Sequence, residues 1–219
     1  MKWVYSCKSD IENLINVLKN YDNTHGEYDK FFNCFCIAFG VDSRLPNILN
    51  KKDYKEVDGL VLCRAYDSSF KDFALYENDF LSGKYQRYSR SVLGNGMCFT
   101  DDKKIIRYYA SLKGKLFGAN IIKCKIDNRA KLIKRSKLKE EFKLKYKELL
   151  IKVKDYLSCD LDIAKKLLKI ASGEDKHMIR AILCGYDGLC EQYNTGEKIF
   201  VIYNRSCLNV ISKKNIINR

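Results

Sequence analysis

Two hydrophobic rhythms alternate along the chain. In the first fifty residues and again over 137–184, apolar positions recur every three or four residues, the spacing of a helix with one buried face. Ile11, Leu14, Ile15 and Leu18 follow a Ser9-Asp10-Ile11-Glu12 capping signature, which predicts a helix start. Tyr28, Phe31, Phe32, Phe35, Cys36 and Phe39 predict a second helix closed by Gly40. A short third helix is expected from Pro46 to about Tyr54. Leu138, Phe142, Tyr146, Leu149, Leu150, Val153 and Leu157 predict one long amphipathic helix over 137–157. Shorter helices are expected over Asp160–Ala171 and Asp175–Cys184, the latter stopped by Gly185.

The second rhythm is that of strands. Leu60-Val61-Leu62-Cys63 is a short apolar run after Asp58-Gly59, and it ends in Arg64-Ala65-Tyr66. Residues 119–126 alternate. Leu93 to Thr100 reads as a glycine turn entering a strand, with Asp101 or Asp102 capping a helix through Ala110. Tyr186–Gln192 and Glu197–Tyr203 form a hairpin around Asn194-Thr195-Gly196, and Leu208–Ser212 adds a last extended piece. Residues 67–92 carry Phe70, Phe73, Tyr76, Phe80, Tyr85 and Tyr88 without a period and predict a long structured loop. The pattern predicts an α+β protein: an N-terminal helical segment, 1–57, packed on a core domain, 58–219, with a helical insertion at 137–184.

Composition narrows this. The 219 residues are 46% hydrophobic and 31% charged, which fits a globular chain and excludes wholesale disorder. No apolar run reaches the ~18 residues of a membrane span. The start, Met1 to Cys7, lacks the apolar stretch of a secretory leader, so no membrane association and a cytosolic setting are expected. Ten cysteines are scattered without a Cys-x-x-Cys pair, and the two histidines, His25 and His177, lie at no metal-ligand spacing. Buried free thiols in a reducing compartment, and no metal, are therefore expected.

The order of the pieces is more specific than any one of them. A strand ends in Arg64. Gly94-x-Gly96-x-x-Phe99-Thr100 follows a long loop, and a helix ends in Tyr108-Tyr109-Ala110. Later come Tyr186-Asp187-Gly188-Leu189 and a strand ending in Tyr203-Asn204-Arg205-Ser206. Over roughly 58–130 and 181–212 this succession resembles the ADP-ribosyltransferase superfamily, most of all the arginine-type mono-ADP-ribosyltransferases of bacteria and their phages. Gly94-x-Gly96-x-x-Phe99 is also similar to a block of the poly(ADP-ribose) polymerases, but Cys98 stands where those carry a tyrosine.

The resemblance implies a split β-sandwich of two small, roughly orthogonal sheets around an NAD cleft. It implies that Arg64 holds NAD phosphate or ribose oxygens, as a planar guanidinium does well. Ala65 would offer its backbone to the nicotinamide amide. Gly94, Gly96, Phe99 and Thr100 would form the second motif, and Tyr109 would stack on nicotinamide. The family's glutamate starts the last hairpin strand, where the ungapped register puts Ile199. Glu197 lies two residues earlier on the same strand face, and Glu191 lies across the hairpin. Either could be the catalytic carboxylate, or neither. Such a carboxylate would stabilise positive charge on the ribose as the glycosidic bond breaks. The implied activity is transfer of ADP-ribose from NAD, a substrate, to a protein or nucleic acid, in a toxin or effector setting.

Charge opens a second possibility. The net charge is +14, and eleven Lys or Arg against three Glu fall between Arg129 and Lys154. A face of this kind attracts polyanions. A catalytically degenerate transferase scaffold acting as a nucleic-acid-binding module is the alternative reading. An ADP-ribose hydrolase or RNA 2′-phosphotransferase on a related fold is a third.

Overall fold

Alternation and periodicity turn into a sheet flanked by helices in a computed structural model, which describes residues 8–20, 35–41, 47–49, 58–67, 96–113 and 118–216. The chain is α+β. Helix α1 (Lys8–Asn20) buries Ile11, Leu14 and Leu18, the stripe that its spacing dictates. Residues 35–38 are helical and end as expected: Gly40 takes φ +85°, and the Val41 N–H reaches back to the Cys36 carbonyl at 2.9 Å.

Eight strands are found among the described residues: β1 (Asn47–Ile48), β2 (Val61–Asp67), β3 (Met97–Thr100), β4 (Ala119–Ile126), β5 (Leu132–Lys134), β6 (Gly188–Gln192), β7 (Lys198–Ile202) and β8 (Leu208–Ile216). Their order in the sheet is β1-β8-β4-β2-β3-β7-β6-β5. The two expected sheets are thus hydrogen-bonded into one. The join is narrow: β2 pairs with β4 along its whole length, but among the described residues it meets β3 at Cys63↔Thr100 alone. The β1-β8-β4-β2 and β3-β7-β6-β5 halves meet at that seam.

The remaining helices are α2 (Lys103–Lys113), α3 (Arg135–Leu144), α4 (Tyr146–Leu157), α5 (Leu161–Ala171) and α6 (His177–Leu183). Asp102 caps α2, accepting from the Lys104 N–H at 2.6 Å. Asp160 caps α5 through the Ile163 N–H at 2.8 Å. Gly185, at φ +78°, closes α6 with a Tyr186 N–H bond to the Ala181 carbonyl. Helices α3 to α6 form the crossover between the parallel neighbours β5 and β6. Leu138, Phe142, Leu149, Val153 and Leu157 join α1 and most of the sheet in one apolar cluster, while Ile106 and Ala110 of α2 cover a smaller one with Ala119 and Ile121.

Three expectations need correction. The predicted long helix is two, interrupted at Lys145 (φ −86°, ψ 3°), a break that an unbroken apolar period hides. Tyr146, placed on its buried stripe, is exposed and meets Phe142 edge-on at 6.4 Å between centroids. The helix expected from Pro46 begins instead as strand β1, because Asn47 and Ile48 pair in parallel with Asn209 and Val210; residues 50–57 lie outside the described residues. Most of the long loop expected over 67–92 lies outside them as well. No helix among the described residues is long and apolar enough to cross a membrane.

Candidate functional site

The register aligns the candidate residues across the centre of the sheet. Cys63, Thr100, Ile199 and Glu191 form one transverse row on β2, β3, β7 and β6. Paired residues share a face, so Thr100, Ile199 and Glu191 lie on one side of the sheet. Ile199, not a carboxylate, occupies the register position opposite Thr100.

Thr100 is buried, and its hydroxyl is already engaged. Its Oγ1 donates to the Lys198 carbonyl at 2.9 Å and accepts from the Asp102 N–H at 3.1 Å. It therefore clamps β3 to the start of β7 and to the cap of α2. Phe99 is buried, directly opposite Phe200. Gly96 is required by a close approach: a Cβ there would collide with Val201 Cγ1 and Tyr203 Cδ1. Gly94 lies outside the described residues.

Arg64 is half-buried on β2, in register with Ile122. Strand alternation puts it with Leu62 and Tyr66, on the face opposite to Cys63 and hence to Thr100. Ala65, opposite Ile121, packs instead with the cluster under α2. The register brings Arg64 next to the candidate strands but not onto the face that Thr100 shares with Glu191.

Tyr109 and Glu197 lie within electrostatic range of each other. Tyr109 projects from α2 at 39% exposure. Burial raises its phenol, and Tyr193, Cys98 and Glu197 raise it further. Gly196 at φ +86° and a Tyr193 N–H bond to the Glu197 carbonyl shape the turn, leaving Glu197 exposed.

Glu191 has a different environment. Its side chain is 20% exposed, with Oε2 3.8 Å from the Arg135 guanidinium. That oxygen is buried and accepts no hydrogen bond. Arg135 Nε also donates to His177 Nε2 at 3.3 Å, and Arg180 lies 3.0 Å from His177 Nδ1. Sequence reasoning missed this chain of charges. Its one signal is Arg180, a lone charge in the otherwise apolar Met178–Leu183 run. Arg180 is buried and donates to the Ala171, Gly173 and Glu174 carbonyls at the end of α5, with desolvation lowering its pKa.

Asp187, in the Tyr186–Leu189 motif, is a corner staple. Its carboxylate accepts from the Lys131 N–H at 2.7 Å and from Asn204 Nδ2 at 2.6 Å. Its backbone carbonyl accepts from the Tyr203 and Asn204 N–H groups. Gly188 beside it has no room for a Cβ, which would lie 2.5 Å from the Val201 carbonyl oxygen.

Among the described residues, no three His, Cys, Asp or Glu side chains are grouped to hold a metal ion. The eight described cysteines are free thiols. Burial pushes Cys207 up to about 12, and Cys159 and Cys184 up to about 11. Comparison with protein-family models, curated proteins and solved structures found no match.

Proposed function

We propose that the chain transfers ADP-ribose from NAD to a macromolecular acceptor. The observation that supports this reading most is the sheet order β2-β3-β7-β6, which makes neighbours of the strands bearing Arg64, Thr100 and Glu191, with Glu197 just before β7 and within electrostatic range of Tyr109 on α2. These segments are far apart in sequence.

In this reading Glu197 is the carboxylate beside the nicotinamide-side ribose. It is exposed, so a ligand can reach it, and it lies within electrostatic range of the tyrosine assigned to nicotinamide. As the glycosidic bond lengthens, its negative charge would oppose the positive charge growing on the ribose. It would also take the proton of the attacking acceptor group. Arg64 lies on the opposite face of the sheet, so the NAD contact expected of it is not part of this reading. Thr100 acts by position, tying β7 to β3 so that the hairpin holds its place. Glu191, next to Arg135, is the alternative carboxylate.

The test is incubation of the full chain with labelled NAD and a cell lysate, followed by detection of label on protein and on nucleic acid. Label transfer is the expected result. Absence of NAD binding at millimolar concentration would overturn the proposal.

A further inference from the structure

We infer that an exposed lysine ridge along α3 and α4 binds the phosphate backbone of nucleic acid. The inference is independent of the transferase reading, since it concerns another surface and needs no NAD.

The structure first removes several of the basic residues from consideration. Lys145 is held by Glu141 at 2.8 Å, which raises its pKa. Lys152 is half-buried against the rings of Phe39 and Tyr156, its Nζ 3.4 Å from the Leu183 carbonyl, and desolvation lowers its pKa. Arg135 faces His177 and Glu191, and Arg129 binds Asp127 at 2.7 Å.

Seven lysines are left: Lys131, Lys134, Lys137, Lys139, Lys143, Lys147 and Lys154. All are exposed, and none has an ion-pair partner among the described residues. Lys139, Lys143 and Lys147 are each four residues apart, which sets them about 6 Å apart along one side of the helical path. That path survives the break: the Lys145 N–H still bonds the Glu141 carbonyl, and the Leu149 N–H bonds the Lys145 carbonyl. Like charges at this spacing repel and weaken a helix by a few tenths of a kcal/mol per pair. A polyanion converts that repulsion into attraction, with release of its condensed counterions.

The rest of the surface favours a nucleic acid over an anionic membrane. A membrane-bound helix needs a free apolar face. Here that face is consumed by the core, through Leu138, Phe142, Leu149, Val153 and Leu157. What stands exposed among the lysines is Leu144, Ile151 and the rings of Tyr146 and Tyr156, side chains outside the stripe that the core has consumed.

The test is fluorescence anisotropy of the full chain, without NAD, on a mixed-sequence labelled strand and duplex of about 20 nucleotides, between about 50 and 200 mM salt. Binding that weakens steeply with salt is expected. The triple variant Lys139→Gln, Lys143→Gln, Lys147→Gln should bind at least ~10-fold more weakly at the low-salt end. Its log–log salt slope should be shallower by roughly 2 to 3, near 0.9 for each phosphate that is no longer neutralised. Lys165→Gln, Lys166→Gln, Lys169→Gln on α5 removes the same charge and should bind like wild type. Circular dichroism checks that both triples are folded. Failure of wild type to bind either nucleic acid, or equal weakening in the two triples, would overturn the inference. So would binding to vesicles of anionic phospholipid in place of nucleic acid. Because label transfer from NAD is measured separately, the two proposals fail separately.

Discussion

The Asp187 corner and the β2–β3 seam show two ways of holding a sheet together. At the corner, one side chain and its own backbone join the approach to β5, the start of β6 and the exit of β7 through directed hydrogen bonds. At the seam, the two half-sheets meet among the described residues through Cys63↔Thr100 alone, and the Thr100 hydroxyl bonds within its own half, to β7, not across the seam. The first is over-determined and the second is sparse. Arg64, Thr100 and Tyr109 lie at or beside the sparse place. Local stability varies across a fold, and segments that must admit or release a ligand are drawn from its less stable parts.

The largest effect expected on the helical side is from Arg180→Ala, which strips buried partners from three carbonyls at the end of α5. A loss of about 3–5 kcal/mol is expected, at ~1–3 kcal/mol for each buried carbonyl left unpaired, read from the urea midpoint. A change below about 1 kcal/mol would mean that those carbonyls find water. Asp187→Ala tests the corner itself and should cost about 2–4 kcal/mol, since it abandons the Lys131 N–H and the Asn204 amide.

The seam should respond in the opposite proportion. Glu197→Gln keeps shape and removes charge, and should lower label transfer by ~10²-fold or more while leaving the urea midpoint and NAD binding nearly unchanged. Full activity of that variant together with a dead Glu191→Gln would move the catalytic role to the other hairpin strand. Thr100→Val should cost about 1–2 kcal/mol of stability by removing both hydrogen bonds of the hydroxyl. Its transfer activity should fall further than that destabilisation explains if the hydroxyl positions β7.

The smallest effect belongs to the surface. Arg129 hydrogen-bonds Asp127 and lowers its pKa to about 2. A depressed carboxylate stabilises the fold above its unfolded pKa, near 4, and that contribution is lost as pH falls from there through about 2. Arg129→Ala should raise the Asp127 midpoint in an NMR titration. It should hardly move thermal stability at neutral pH, because the pair is solvent-screened.

Sequence pattern foretold some elements better than others, for physical reasons. Residues 119–126 were legible as β4 because they alternate. Helix α5 was legible because its apolar stripe and its cap agree. Strand β5 left no signal: Leu132-Ile133-Lys134 is three residues among lysines, and it is a strand only because β6 pairs with it. Strand β1 likewise depends on a distant partner, which outweighed the helix-start signal of Pro46. At the candidate site, sequence order foretold neighbouring strands but not faces. Which side Arg64 occupies is set by Cys63 meeting Thr100, a pairing that no local pattern encodes. The roles of Gly96 and Asp187 were hidden similarly, since a close approach and a staple look like motif residues until their neighbours are known.

Strand β4 lies between β2, which precedes it, and β8, which follows only after the whole helical crossover. During synthesis, β2 and β4 can pair early, but the other edge of β4 stays open until Leu208–Ile216 has left the ribosome. That open edge carries unpaired backbone groups beside Ile121, Ile122 and Cys124, a template for pairing with another nascent chain. The lysines within and near it, Lys123 and Lys125, repel such a neighbour. Truncation before Leu208 should therefore show itself first as aggregation, visible as loss of protein from the soluble fraction during expression.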